Sequence, residues 1–217
     1  MAMVSLGGFE EGQSSNGRRL KQVVLKLNQK VDESGGSLVG QILTSKNLNI
    51  PTVVMMIKKG WNLDKEVEVI ELDRNNLTFR FKFFDRKDFV RILKGRPWSI
   101  QGFLLNLQVW QECMVLSDVK FDVAPFWVQF HDLPIEAFDH GNAKILGDSA
   151  GETLMFESPM SARKTYRGFI RVRVLINLNE PLLSGFWVPW NNKGPTWGYN
   201  QIQETLEFLF QMWAAGP

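Results

Sequence analysis

Residues 37 to 110 spell strand, helix, strand, strand, helix, strand. That order is the strongest constraint on the fold, because it is the order of a split βαβ, ferredoxin-like module. The first helix is read from "NLNIPTVVMMIKKGW": Asn49 is the N-cap, Pro51 lies in the first turn, and Val53, Met56, Ile57 and Trp61 fall at i, i+3, i+4 and i+8. The second comes from "DRKDFVRILKGRPW". There Asp85 caps, Asp88 complements the positive first turn, Phe89, Ile92 and Leu93 form the apolar stripe, and Gly95 with Pro97 end the helix. A Trp closes each passage from helix to strand, Trp61 and then Trp98.

Four strands surround these helices, at 37–43, 66–72, 76–84 and 102–110, with a hairpin turn at Asp73, Arg74, Asn75 and Asn76. Along the third strand Leu77, Phe79, Phe81 and Phe83 share one face, and Thr78, Arg80 and Lys82 share the other. The aromatic face is expected to pack under the helices, leaving Arg80 and Lys82 pointing outward. This argues against the base-stacking pattern of an RNA-recognition motif, which needs its aromatics on the open face of the sheet.

At 217 residues and 44% hydrophobic, the chain can bury one large core or two small ones. No apolar run approaches the roughly 18 residues that span a bilayer, and Met1 to Leu27 lacks the apolar core and cleavage site of a signal peptide. An intracellular location, nuclear or cytoplasmic, and no membrane partner are expected. The single cysteine, Cys113, excludes an internal disulfide and reads as a buried or passive thiol; with only His131 and His140 beside it, no metal site is expected.

The second half reads as a smaller α+β unit or an extension of the first sheet. It has a strand in "PFWVQFHDLP" (125–134), a helix around Asn142 to Ala150, a strand near Glu152 to Glu157, a strand at 168–178 and a final edge strand in "SGFWVPW" (184–190). In the strand 168–178, Ile170, Val172, Val174 and Ile176 share one face and Arg171 and Arg173 the other. The resulting division is a flexible N-terminal segment at 1–36, with a weakly specified ordered element around Leu20 to Val31, then the βαββαβ module at 37–112, the second unit at 113–190 and a tail at 191–217.

Formal net charge is only +2, but its distribution is uneven. Residues 1–112 carry 17 Lys and Arg against 12 Asp and Glu, and 113–217 carry 8 against 11. The exception in the second half is 161–178, where Arg163, Lys164, Arg167, Arg171 and Arg173 occur without one acidic residue. A basic run of this kind contacts phosphates or is simply a solvated face.

The stretches "GRPWSIQGFLLNLQVW", "FWVQFHDLPIEAF", "NAKILGDSAGE" and "RVRVLINLNEPLLSGFWVP" resemble, in this order and spacing, the plant domain-of-unknown-function family numbered 4283. The resemblance covers about residues 37 to 198. It implies a non-catalytic nucleic-acid-binding module of retrotransposon-derived origin, related to the first open reading frame of LINE-like elements and commonly continued by a CCHC zinc knuckle. This chain departs from that pattern. After "NNKGPTW" the sequence ends in "GYNQIQETLEFLFQMWAAGP", which lacks the Cys-x2-Cys-x4-His-x4-Cys ligands, so zinc and other cofactors are not carried over.

Two readings of that tail stand. One codon choice for Glu207 through Pro217, read one nucleotide later, opens a knuckle, so a shifted frame fits and the genomic codons decide. Alternatively, Ile202, Leu206, Leu209, Phe210 and Trp213 form an amphipathic helix.

Nucleic-acid binding assigns phosphate contacts to Arg163, Lys164, Arg167, Arg171 and Arg173, with Arg80 and Lys82, and expects nonspecific, salt-sensitive association with RNA or DNA. The alternatives are a protein-protein or self-association module, for which eight Trp and sixteen Phe could supply anchors, and an inactive remnant; most of the Trp, including Trp110, Trp127 and Trp187 on or beside strands, are expected in the core. No catalytic residues are assigned, because no nucleophile elbow, phosphate loop or metal-ligand spacing occurs.

Overall fold

The first half begins with β1 (Gly36–Leu43), α1 (Ile50–Trp61), β2 (Val67–Asp73), β3 (Thr78–Phe83), α2 (Arg86–Lys94), β4 (Trp98–Ile100) and β5 (Phe103–Trp110). These strands form one antiparallel sheet in the order β2-β3-β1-β5-β4. The ferredoxin-like order read from the sequence is present, with the short hairpin strand β4 added before β5. The computed structural model describes residues 35–157, 168–181, 184–189 and 194–203. The leading element expected around Leu20 to Val31 lies outside them.

Both helix starts are built as their sequences require. Asn49 accepts from the Thr52 backbone N–H at 3.1 Å, and Asp85 accepts from those of Lys87 at 2.7 Å and Asp88 at 3.1 Å. Each cap contributes about 1 kcal/mol by satisfying donors that the helix cannot. The helices bury Val53, Ile57, Trp61, Phe89 and Ile92 against Leu38, Phe79, Phe81, Phe83, Leu105 and Leu107 of the sheet. Trp61 packs edge-on to Phe81 with ring centroids 4.9 Å apart, and Trp98 lies 6.2 Å from Trp61 and donates its indole N–H to the Ile92 carbonyl. Phe79, Phe81 and Phe83 are therefore core, as their shared parity requires.

The second half contains β6 (Val123–Phe130), α3 (His140–Ala150), β7 (Glu152–Phe156), β8 (Ile170–Asn177), β9 (Gly185–Val188) and β10 (Thr196–Gln203). They form a second antiparallel sheet in the order β7-β8-β6-β10-β9. Position by position this repeats the first sheet, with β6 in the place of β1, β7 and β8 in those of β2 and β3, and β9 and β10 in those of β4 and β5. Among the described residues between β8 and β9 there is no counterpart of α2. The second half is thus a sheet of its own and not an extension of the first.

β9 is an edge strand as expected, but it is not the last one. Residues read as the start of a divergent tail form β10, which pairs with both β9 and β6; Ile202 sits opposite Val128. A helix starting at Ile202 is therefore not formed, and the rest of that stripe lies outside the described residues. The second core joins Ala124, Phe126, Val128, Phe130, Ile170, Val172, Val174 and Ile176 to Ala143 and Leu146 of α3. Leu104 of β5 belongs to the same cluster, and the neighbouring Asn106, fully buried, donates to the carbonyls of Phe121 at 3.0 Å and Val123 at 2.8 Å. The middle of the first sheet's far face is covered in this way.

Candidate nucleic-acid interface

Strict alternation along β8 sends Ile170, Val172, Val174 and Ile176 into the core and sets Arg171 and Arg173 on the face of the sheet away from α3. Opposite them on β6 the same parity brings up Trp127, whose register partner is Arg173, and Gln129, whose partner is Arg171. The Arg171 guanidinium lies 4.2 Å from the Trp127 ring centroid and that of Arg173 lies 5.7 Å from it. One indole thus orients two cations.

Neither arginine extends loosely into solvent. Arg171 forms an ion pair with Glu157 at 2.6 Å, and its Nε is buried without a hydrogen-bond partner among the described residues. Arg173 donates to the carbonyl oxygens of Lys94 and Arg96, both at 2.9 Å. These two bonds fasten β8 to the backbone of the loop that follows α2 and bring Arg96 beside Arg173 and Arg171 in one basic cluster, with Lys94 two residues before Arg96 in the chain. Arg96 in turn donates to the Leu107 carbonyl at 3.2 Å. Burial, and after it the nearby charge of Arg173, lowers the pKa of Arg96 from its ordinary value. An arginine in that position stays charged, so the cluster concentrates positive potential.

Arg80 and Lys82 lie on β3, on the far face of the first sheet. Arg80 donates to the Ser37 hydroxyl at 3.3 Å and sits 5.8 Å from the Trp110 ring centroid, and Lys82 sits 5.5 Å from that of Phe84. They belong to a different sheet from Arg171 and Arg173. Arg163, Lys164 and Arg167 lie outside the described residues. Lys94 and Arg96 were not marked by sequence reading, because they end a helix there; the run Lys94-Gly95-Arg96-Pro97 was the only signal.

The same face carries a row of aromatic rings. His131, just past β6, stacks on Tyr199 of β10 with centroids 4.8 Å apart and planes 3° from parallel, and on its other side meets Phe169 at 5.2 Å. Its Nε2 lies 3.1 Å from the Gln129 side-chain oxygen. Burial lowers the His131 pKa from its ordinary value against the opposing effect of Asp132, so the ring is neutral at neutral pH. Next to this row, Trp187 of β9 and Trp197 of β10 face each other edge-on at 5.0 Å. They are 65% and 45% exposed, and Tyr199 is 44% exposed.

The expectation that most Trp are core holds for Trp61 but fails for Trp187 and Trp197. Alternation explains the failure: in Phe186-Trp187-Val188 the flanking residues face the core and the Trp does not. Cys113, read as buried or passive, is exposed. No group of three His, Cys, Asp or Glu among the described residues could hold a metal ion, and no helix there is long and apolar enough to cross a membrane.

Residues 32–117 match the family described as a domain of unknown function (DUF4283), the family that the sequence resembles. The match covers the first sheet and stops before β6. No curated protein matches significantly. Among solved structures the chain is similar to Sex-lethal RNA recognition domains 1 and 2 from Drosophila melanogaster, at 10% identity over 64% of this chain and 85% of that one, with a TM-score of 0.27. It is similar also to the first two RRM domains of yeast poly(U) binding protein (Pub1), at 13% identity over 64% of this chain and 81% of that one, with a TM-score of 0.27. A third likeness is to an Sxl-lethal protein/RNA complex, at 10% identity over 78% and 100% of the two chains, with a TM-score of 0.28. At these TM-scores the likenesses carry no argument about function.

Proposed function

We propose that this chain, a member of the DUF4283 family through residues 32–117, is a non-catalytic nucleic-acid-binding protein that works by contacting phosphates. The observation that carries the reading is the basic cluster on the second sheet. There Arg171 and Arg173 lie against Trp127, and the bonds of Arg173 to the backbone at Lys94 and Arg96 bring the Arg96 charge close to its own. Cations gathered on one face release counterions when they meet a polyanion, and this supplies affinity with little sequence information. The Glu157 partner of Arg171 tempers that contribution, so Lys94, Arg96 and Arg173 are assigned the larger share. Arg80 and Lys82 extend the basic surface on the other sheet. A nuclear or cytoplasmic location is proposed with this reading. Retrotransposon-derived origin and a lost zinc knuckle are proposed with it too, and they rest on the family resemblance alone.

The test is fluorescence anisotropy of labelled RNA and DNA titrated with the full chain across a salt series. Affinity should fall linearly on logarithmic axes, by about 0.7 in slope for each phosphate neutralised on a single strand. Replacing Lys94 by Ala and Arg96 by Gln should weaken binding to all sequences alike and flatten the single-strand slope by the same amount, about 0.7, for each phosphate no longer neutralised. Absence of binding at low salt, or a slope that ignores both substitutions, would reject the assignment. Self-association is the second reading, favoured by the exposed Trp187 on edge strand β9. It expects a concentration-dependent mass in light scattering and no nucleic-acid shift.

A further inference from the structure

We propose that the aromatic surface formed by Phe169, His131, Tyr199, Trp197 and Trp187 is a base-stacking platform, and that it makes single-stranded nucleic acid, not duplex, the ligand of this face. The inference deepens the nucleic-acid reading and rests on it.

The platform follows from strand register. Gln201 pairs with Gln129, and Gln129 with Arg171, which sets Arg171, Gln129 and Gln201 side by side across β8, β6 and β10. Two residues along each strand, Phe169, His131 and Tyr199 form a parallel row, about 7 Å away at the usual rise per residue. In the other direction the next row holds Arg173 and Trp127. A row of rings therefore lies beside two rows that carry Arg171 and Arg173, so bases stacked on the first would have their phosphates within reach of cations on the same surface.

The rings are also held in place. His131 is fixed between Tyr199 and Phe169 and so braces the exposed Tyr199 ring, and burial keeps it from adding a charge of its own to the row. The edge-on pair Trp187 and Trp197 continues the surface onto the β9–β10 hairpin, where three large aromatics are about half exposed or more. Exposed aromatic clusters of this kind mark binding sites.

Charge selects the occupant. Arg96, Arg171 and Arg173 stand on or beside this face, and among the described residues Glu157, paired with Arg171, and Asp132, at the turn after His131, are carboxylates next to the rows. The buried centre of a protein interface is depleted of charge, whereas here the rows beyond the rings are polar and cationic. A duplex hides its base faces in its own stack, and only an unpaired strand can offer them to aromatic side chains.

The test uses the full chain, a fluorescein-labelled 20-nucleotide oligo(dT), the corresponding oligo(U), and a 20-base-pair duplex. Wild type should bind the single strands more tightly than the duplex, with quenching of Trp fluorescence. Substituting Trp197→Ala together with Tyr199→Ala should weaken single-strand binding on the order of tenfold or more while leaving the salt slope and duplex affinity in place. The Trp197→Phe, Tyr199→Phe pair keeps two π faces, should restore most of the affinity, and guards against a loss that comes from misfolding.

Equal affinity of the Ala variant and wild type for single strands, with salt-dependent binding intact, overturns the platform and leaves the broader reading standing. So does equal affinity of wild type for single strands and duplex. A change in oligomer mass without a change in binding overturns it in favour of association between copies. No binding of any probe by wild type overturns the nucleic-acid reading itself.

Discussion

Asp88 ties α2 to the loop after α1 through one carboxylate. It is 3% exposed, accepts from the backbone N–H groups of Asp64 at 2.9 Å and Lys65 at 3.3 Å, and pairs with Arg91 at 2.8 Å. Burial alone would raise its pKa and is the largest single influence. The Arg91 hydrogen bond and the two N–H groups together outweigh it, and the pKa lies below the ordinary 3.8. Because the folded value is the lower one, the unfolded chain takes up the proton first on acidification. The stability that Asp88 supplies is complete above about pH 4 and is lost as pH falls through its folded pKa. Asp88→Asn should cost about 1–3 kcal/mol at pH 7 and flatten the loss of stability in acid. Urea unfolding at pH 7 and pH 3 measures both, and an unchanged acid limb would contradict the assignment. The sequence shows Asp88 as a carboxylate in a helix's first turn. It does not show the loop 24 positions upstream that Asp88 holds, because local pattern carries no record of which loop meets which helix end.

Among the elements, those with local determinants were legible and those fixed by distant pairing were not. Asn49, Asp85 and the parity of Phe79, Phe81 and Phe83 depend on neighbours within a few residues, and each sits where its spacing demands. β10 was missed because Ile202 also fits a helical stripe, and pairing with β6 decided between the two periods. The same non-local cause hid the aromatic face, which needs β6, β8, β9 and β10 side by side. Helix α3 comes close to its sheet at Gly147, where a Cβ would run into Thr153 Oγ1 and lie 2.8 Å from a Val172 methyl. Gly147→Val should therefore lower stability by about 1–3 kcal/mol through overpacking. Gly60, in α1, has nothing within 4 Å of such a Cβ, and Gly60→Ala should instead raise stability by about 0.4–1 kcal/mol. Thermal melts of the two variants should move in opposite directions; movement in the same direction would contradict the packing described for α3.

At the scale of the whole molecule, one strand order is used twice with different far faces. In the first sheet that face is stopped by Leu104 and Asn106 against the second half, and only its margin keeps cations, Arg80 and Lys82. In the second sheet the corresponding face carries Trp127, Arg171, Arg173 and the aromatic row. The charge run that marked 161–178 includes Arg171 and Arg173 of β8, and Trp127 and Arg96 join them only through the fold. Amide hydrogen exchange of the full chain with and without saturating single-stranded oligonucleotide tests this assignment most directly. The expected result is slowed exchange confined to residues 123–131, 169–177, Gly185–Val188, Thr196–Gln203 and the loop after Lys94, whereas protection centred on α1 or α3, or none at an oligonucleotide concentration that shifts anisotropy, would contradict it.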